Sequence, residues 1–174
     1  MKNLKESLKK NIAKNLLITL FAFTAATSAF AEEGAIRFSN NAFKQVISKA
    51  ADGSVQFDYI EPGLVLPDDV ILYEVVFENV SKQEVSNIVI NNPIANNSKY
   101  RDSSATGEST EIMFSVDGEF FAAADALTVK DKTGKSWRAK PEEYTVIRWI
   151  YTKALKPGEK GKVTYKTAIK KAGE

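Results

Sequence analysis

Apolar and polar residues alternate in short runs along most of the chain, and each run ends in a group of turn-forming residues. The clearest run is 70–79, where one face carries Ile71, Tyr73, Val75 and Phe77. An alternation with a period of two is typical of a β-strand that packs one face against a core. The opposite face is also apolar at one end, so we predict a central strand that is covered on both sides there.

Turns that contain Asp and Gly divide the rest of the chain into hairpins. The strands expected at 43–49 and 55–60 flank a turn at 50–54, whose glycine can adopt the positive φ of a tight hairpin. Turns at 117–118 and 131–134 give the same signal further along the chain. No segment after the N-terminal region shows a sustained helical period.

Two runs near the C-terminus predict strands of different kinds. The run 144–151 places Trp149 mid-strand among apolar neighbours, which predicts a core position for its indole ring. The run 162–170 alternates apolar residues with a row of lysines. Because outward-facing lysines discourage pairing with another chain, we predict that 162–170 is an edge strand.

These elements predict one all-β domain over residues 43–170, folded as an antiparallel β-sandwich of about seven to nine strands. A small barrel is the alternative arrangement for the same strands. Residues 32–42 lack sustained periodicity and predict a flexible lead-in with one short strand at most, while 171–174 form a short tail.

The first 31 residues have the three parts of a cleavable secretory signal peptide. Five lysines lead into an uncharged apolar stretch at 16–30, and the small residues Ala29 and Ala31 fit a cleavage site before Glu32. The alternative is an uncleaved membrane anchor, but the stretch is shorter than the roughly 20 residues that span a bilayer. We therefore expect export to the periplasm or the cell surface.

Cleavage would also change the charge of the protein. Residues 1–31 contain five lysines and one glutamate, so 19 basic and 21 acidic residues remain and the net charge becomes −2. The sequence pI of about 8.6 therefore belongs to the leader and does not indicate nucleic-acid binding.

The segment 65–79, with a Pro67-Asp68-Asp69 turn and a closing Asn79, resembles the bacterial conserved-repeat family called domain of unknown function 11. Later points of similarity are Asn92-Pro93-Ile94, Arg148-Trp149 and Leu155-Lys156-Pro157-Gly158. The similarity spans roughly 43–170 and is greatest with the small, stand-alone exported members of that family.

The resemblance implies an immunoglobulin-like sandwich outside the cytoplasm. It implies no reaction, because the family has no established activity. Two positions depart from its pattern: Asp68 stands where the family usually has Gly, and Ala95 stands where a second Pro is common. From Asp68 we expect a type I turn, which does not need a positive φ.

The composition removes most enzyme chemistry. The chain has no cysteine and no histidine, so disulfides, thiolate nucleophiles, imidazole bases and the metal sites built from sulfur or imidazole are excluded. The remaining candidate acids and bases are the carboxylates of Glu61, Asp68, Asp69, Glu142 and Glu143. Neighbouring carboxylates in a turn fit a solvent-facing role better than a catalytic pair across a cleft. We expect no enzyme activity and no cofactor.

A calcium site and a covalent Lys–Asn crosslink are two further kinds of site that the sequence bears on. A calcium site would draw on Asp52, Asp68, Asp69 or Asp117, but no EF-hand spacing is present and we expect no metal. Lys44 lies where some surface immunoglobulin-like domains form a Lys–Asn crosslink. No Asn follows Asn97, which leaves an aspartate such as Asp125 as the remaining partner.

Two aromatic residues, Tyr100 in the polar segment 95–111 and Trp137 beside a turn, are candidates for an exposed binding surface. We expect a non-enzymatic protein that binds, or associates structurally with, an envelope protein or polymer. The contact would use the loop 96–111 or an exposed strand edge. One alternative is a carbohydrate-binding or hydrolytic accessory protein that uses carboxylates and Trp137. A second is a subunit of a surface appendage or layer. The sequence leaves the partner and the oligomeric state open.

Overall fold

The computed structural model describes residues 34–173, and the predicted signal peptide and its cleavage residues Ala29, Ala31 and Glu32 lie outside this range. Eleven antiparallel strands and one short 3-10 helix, Pro141–Glu143, make up the described chain. The strands are β1 Ile36–Lys49, β2 Val55–Ile60, β3 Val70–Asn79, β4 Val89–Pro93, β5 Ser98–Tyr100, β6 Thr106–Gly107, β7 Thr110–Ser115, β8 Thr128–Lys130, β9 Ser136–Arg138, β10 Val146–Tyr151 and β11 Lys160–Ile169.

The strands form two facing sheets and a small accessory hairpin. The first sheet has six strands in the order β2-β1-β3-β11-β5, with β6 pairing beside β5 on β11. The second has three strands in the order β4-β10-β7, and β8 pairs only with β9. The predicted all-β sandwich is thereby confirmed. The eleven strands exceed the predicted seven to nine, and four of them have only two or three residues.

The core lies between the two sheets and is rich in aromatic side chains. Phe77 of β3 meets Tyr151 of β10 edge-on at 5.3 Å, and Trp149 of β10 lies 5.9 Å from Tyr165 of β11. Trp149 is completely buried, as its mid-strand position predicted. Aromatic side chains contribute large buried areas, which suits a chain without disulfides.

Buried Asn79 closes the end of β3 with a full set of hydrogen bonds. Its Nδ2 group donates to the carbonyls of Gln83 and Leu155, both at 2.7 Å. Its Oδ1 atom accepts from the amide and the hydroxyl of Ser81, at 2.9 and 2.7 Å. A buried amide is tolerated because each of its polar atoms has a partner.

The structure corrects two expectations about strands and one about a turn. Residues 36–42, predicted as flexible lead-in, instead form the first half of β1 and pair with β3. The lysine-rich β11 is not an edge strand, since β3 pairs on one side of it and β5 and β6 on the other. Asp68 has a φ of 68°, so the turn before β3 does use the left-handed conformation that the sequence was expected to avoid.

Within residues 34–173 there is no helix that is both long enough and apolar enough to cross a membrane.

Candidate functional site

Tyr100, predicted as part of a binding surface, is instead a core residue. Its side chain is only 4% exposed and lies 5.3 Å from the ring of Phe114. Its hydroxyl accepts hydrogen bonds from the amides of Ser104 and Ala105, at 3.2 and 2.9 Å. Tyr100 therefore holds the following loop in place and offers no surface to a ligand.

Trp137 lies on β9 and remains partly accessible, with 36% of its surface exposed. Its indole nitrogen donates to the Glu143 carboxylate at 3.3 Å, and the second oxygen of that carboxylate accepts from the Lys140 amide at 2.7 Å. The structure therefore does not bring Tyr100 and Trp137 together on one surface. Glu143 is engaged in closing the 3-10 turn.

The aspartates with shifted pKa values are all held in the ionised form. Hydrogen bonds from Ser54 lower the pKa of Asp52, those from the Phe120 and Glu119 amides lower that of Asp117, and Thr133 lowers that of Asp131. A general acid needs the opposite shift. These carboxylates cap turns, and in residues 34–173 no three acidic side chains are grouped in a way that would hold a metal ion.

Lys44, considered above for a crosslink, forms an ion pair with Asp69. Its Nζ atom lies 2.6 Å from Asp69 Oδ2 and donates to the Leu64 carbonyl at 3.3 Å. The same Asp69 oxygen accepts from the Leu66 amide at 2.6 Å. These bonds lower the pKa of Asp69, the Leu66 amide contributing most. Together they fasten the connection between β2 and β3 to the middle of β1.

The hairpin of β1 and β2 begins at the Lys44–Asp69 ion pair, called the clamp below, and continues past the start of β3. β1 pairs with β3 from Ile36 to Lys44 and with β2 from Lys44 to Lys49. Among residues 34–173, Lys44 is the one residue of β1 with a partner in both β2 and β3, so the second half of β1 continues past the start of β3. The hairpin turn uses Gly53 at a φ of 85°, in agreement with its predicted role.

All six residues of β2 are exposed, and several of them are large apolar residues. On the face that points away from the other sheet, Ile47 of β1 is 72% exposed beside Phe57 at 55% and Val55 at 60%. Ile60, on the opposite face, is also exposed. Single exposed apolar residues are ordinary, but a contiguous patch is typical of an interaction site.

The free edge of β2 presents unpaired backbone groups. The Ala50 amide donates to the Ser54 carbonyl at 2.9 Å at the start of the ladder. Because hydrogen-bonded rungs alternate in an antiparallel pair, the even-numbered residues of β2 direct their amides and carbonyls toward β1. Val55, Phe57 and Tyr59 direct theirs outward, where β2 has no neighbouring strand among residues 34–173.

A wide groove adjoins the hairpin on the outer face of the six-stranded sheet. It encloses about 650 Å³ between Phe57 and Tyr59 on one side and the loop at 101–106 on the other. The Lys166 ammonium group lies 5.2 Å from the centre of the Tyr59 ring and donates to Gln45 Oε1 at 3.2 Å. A cation over an aromatic face is favourable and fixes the base of the hairpin against β11.

The sequence pattern predicts this hairpin but does not predict that the side chains of β2 are exposed. No family model, no curated protein and no solved structure matches the chain. Its function must therefore be inferred from its own residues.

Proposed function

We propose that the protein is an exported, non-enzymatic β-sandwich that acts by binding another polypeptide in the bacterial envelope, and that the binding site is the free edge of β2. The observation that carries the proposal is the combination of exposed apolar side chains and outward-directed backbone groups on this one strand. An extended segment can add to such an edge by backbone pairing, and apolar side chains then provide the contact area.

The sequence of β2 supports this role, because β2 lacks the usual protection of an edge strand. Edges are commonly blocked by lysine, by proline or by a covering segment. β2 contains neither lysine nor proline. In the other sheet, β4 ends in Pro93, and β7 is bridged at Phe114 by Ala122. The unprotected edge is therefore the one that also carries the apolar patch.

Export is supported by the predicted leader. The resemblance to domain of unknown function 11 adds an extracytoplasmic setting.

The proposal is tested by selecting displayed random peptides on the protein without residues 1–31. We expect apolar, β-branched sequences that bind the wild type, lose binding to Phe57→Pro and keep weakened binding to Phe57→Ala. Proline at 57 removes an outward amide without breaking a bond to β1, whereas alanine removes only the side chain. Circular dichroism verifies that both variants fold.

Equal binding of the selected peptides to the wild type and to Phe57→Pro would contradict a site at the β2 edge. Recovery of no peptide from a protein that is also monomeric would contradict polypeptide binding altogether.

A further inference from the structure

We propose that the segment that pairs with β2 is β2 of a second copy of this chain, in an antiparallel, two-fold register centred on Phe57. This inference rests on the proposed function and names its partner. It would join the two six-stranded sheets edge to edge through a symmetric contact, the commonest arrangement of soluble oligomers.

The backbone groups of β2 fit this register. The residues with outward amides and carbonyls are Val55, Phe57 and Tyr59, and they are spaced symmetrically about Phe57. When Phe57 faces Phe57 of the second copy, Val55 faces Tyr59 of that copy. Every outward group of the strand then lies in a hydrogen-bonded rung. A shift by two residues in either direction leaves one of the outward residues without a partner inside the strand.

The side chains select the same register. Phe57 would lie beside its own copy, and such cross-strand aromatic pairs are favourable. Between these rungs Gln56 would face Asp58 of the second copy, and an amide can donate to a carboxylate. In the neighbouring register Asp58 would face Asp58, a like-charge pair that is destabilising in a sheet. The single charge of β2 therefore favours the Phe57-centred pairing over the next one.

The apolar outer face gains contact in this arrangement. Ile47 lies opposite Phe57 on the adjacent strand, and Val55 and Tyr59 flank Phe57 on the same face. Two copies would bring these patches side by side and form one continuous apolar strip. The exposed Phe57 and Val55 side chains would then have neighbours on both sides.

Single-cysteine variants test the register, because the chain has no cysteine of its own. In the proposed pairing the Cα atoms at position 57 lie about 5.5 Å apart, within the range of a disulfide. We expect Phe57→Cys to form covalent dimers under mild oxidation at least about tenfold faster than Val55→Cys, since two residues at 55 would lie roughly 13 Å apart.

Two further variants make the test independent of the loss of Phe57. A mixture of Val55→Cys and Tyr59→Cys should give a mixed disulfide, whereas each of them alone should not. Faster crosslinking by Asp58→Cys than by Phe57→Cys, or equal crosslinking at 55 and 57, would overturn the register.

Sedimentation of the protein without substitutions tests the association itself. We expect the apparent mass to rise with concentration toward that of a dimer, and Phe57→Pro to remain a monomer at every concentration. A monomeric wild type that still binds selected peptides at β2 would overturn self-pairing and leave the proposed function standing. A monomeric wild type that binds none would overturn both.

Discussion

The two ends of the six-stranded sheet are built differently. At one end β11 is covered by the short strands β5 and β6, and Val163 and Thr167 on its inner face are almost completely buried. At the other end β2 has no covering strand among residues 34–173, and all of its residues are exposed. The same sheet therefore has one edge that short strands cover beside the core. At its other edge, the backbone groups of β2 have no partner strand among residues 34–173.

This difference shows that lysines on a strand mark a solvent-facing side and do not by themselves mark an edge. Lys162 on the outer face of β11 lies 3.1 Å from Glu74 of β3, and Lys160 lies 3.7 Å from Glu78. These exposed pairs between neighbouring strands contribute little stability, but they allow lysine inside a sheet. The free edge strand β2 has no lysine at all.

The largest effect is expected from Gly161→Val at the covered end. A Cβ atom at Gly161 would overlap the ring of Phe77 on the paired strand, and that ring is buried in the core. We expect a loss of about 3 kcal/mol in the free energy of unfolding, a large fraction of the roughly 5–15 kcal/mol that is typical of a folded domain. Urea denaturation followed by tryptophan fluorescence measures it.

Gly63→Val is the matched control for this prediction. Gly63 lies in the connection after β2 and does not have a positive φ, and a Cβ atom at this position would meet no residue within 4 Å other than its chain neighbours. The same substitution should change stability there by no more than about 0.5 kcal/mol. Similar losses at both positions would show that the two ends do not differ in packing.

A smaller effect is expected from one isosteric change made at both ends, Val163→Thr and Val55→Thr. Val163 is completely buried, so its new hydroxyl would lose water without a ready hydrogen-bond partner, which costs about 1–3 kcal/mol. Val55 is 60% exposed, and the same hydroxyl there remains hydrated. We expect its effect to lie within about 0.5 kcal/mol. Thermal and urea unfolding of the two variants give the difference directly, and a Val55→Thr loss as large as that of Val163→Thr would place β2 in the core.

The regular part of the sandwich could be predicted because periodicity reports which side of a strand is buried. β3 and β10 alternate cleanly, and their inner faces agree with the sequence pattern; the bounds of β3 agree as well, while β10 begins two residues later than predicted. The first half of β1 was missed because Asn40 interrupts its apolar face. In the structure Asn40 lines a cavity of about 250 Å³ at an open side of the sandwich, where a polar residue is tolerated.

The candidate site could be predicted only in part. Hairpin formation follows from the turn at 50–54, but Val55 and Phe57 have the same alternation as residues that face a core. Local pattern cannot show whether a second layer covers a strand, because that depends on where the opposing sheet ends. For Tyr100 the prediction was wrong in the opposite direction. Its neighbours in sequence are polar and indicate an exposed loop, but its side chain packs into the core.

The smallest effect is expected from the Lys44–Asp69 ion pair at the base of the β1–β2 hairpin. It appears as a dependence of the free energy of unfolding on pH. Hydrogen bonds from the Leu66 amide and Lys44 hold the pKa of Asp69 below its ordinary value of 3.8 in the folded protein. The carboxylate thus stabilises the fold fully above about pH 4, and this contribution disappears as the pH falls through the lowered pKa. In Asp69→Asn the contribution is absent at every pH, so the loss of stability between pH 7 and pH 3 should be smaller than in the wild type.

Asp68→Asn is the control, because its exposed pair with Lys171 contributes little, and it should follow the wild type. Urea midpoints at both pH values measure the difference. An identical pH dependence of the wild type and Asp69→Asn would show that the Lys44–Asp69 ion pair does not stabilise the hairpin.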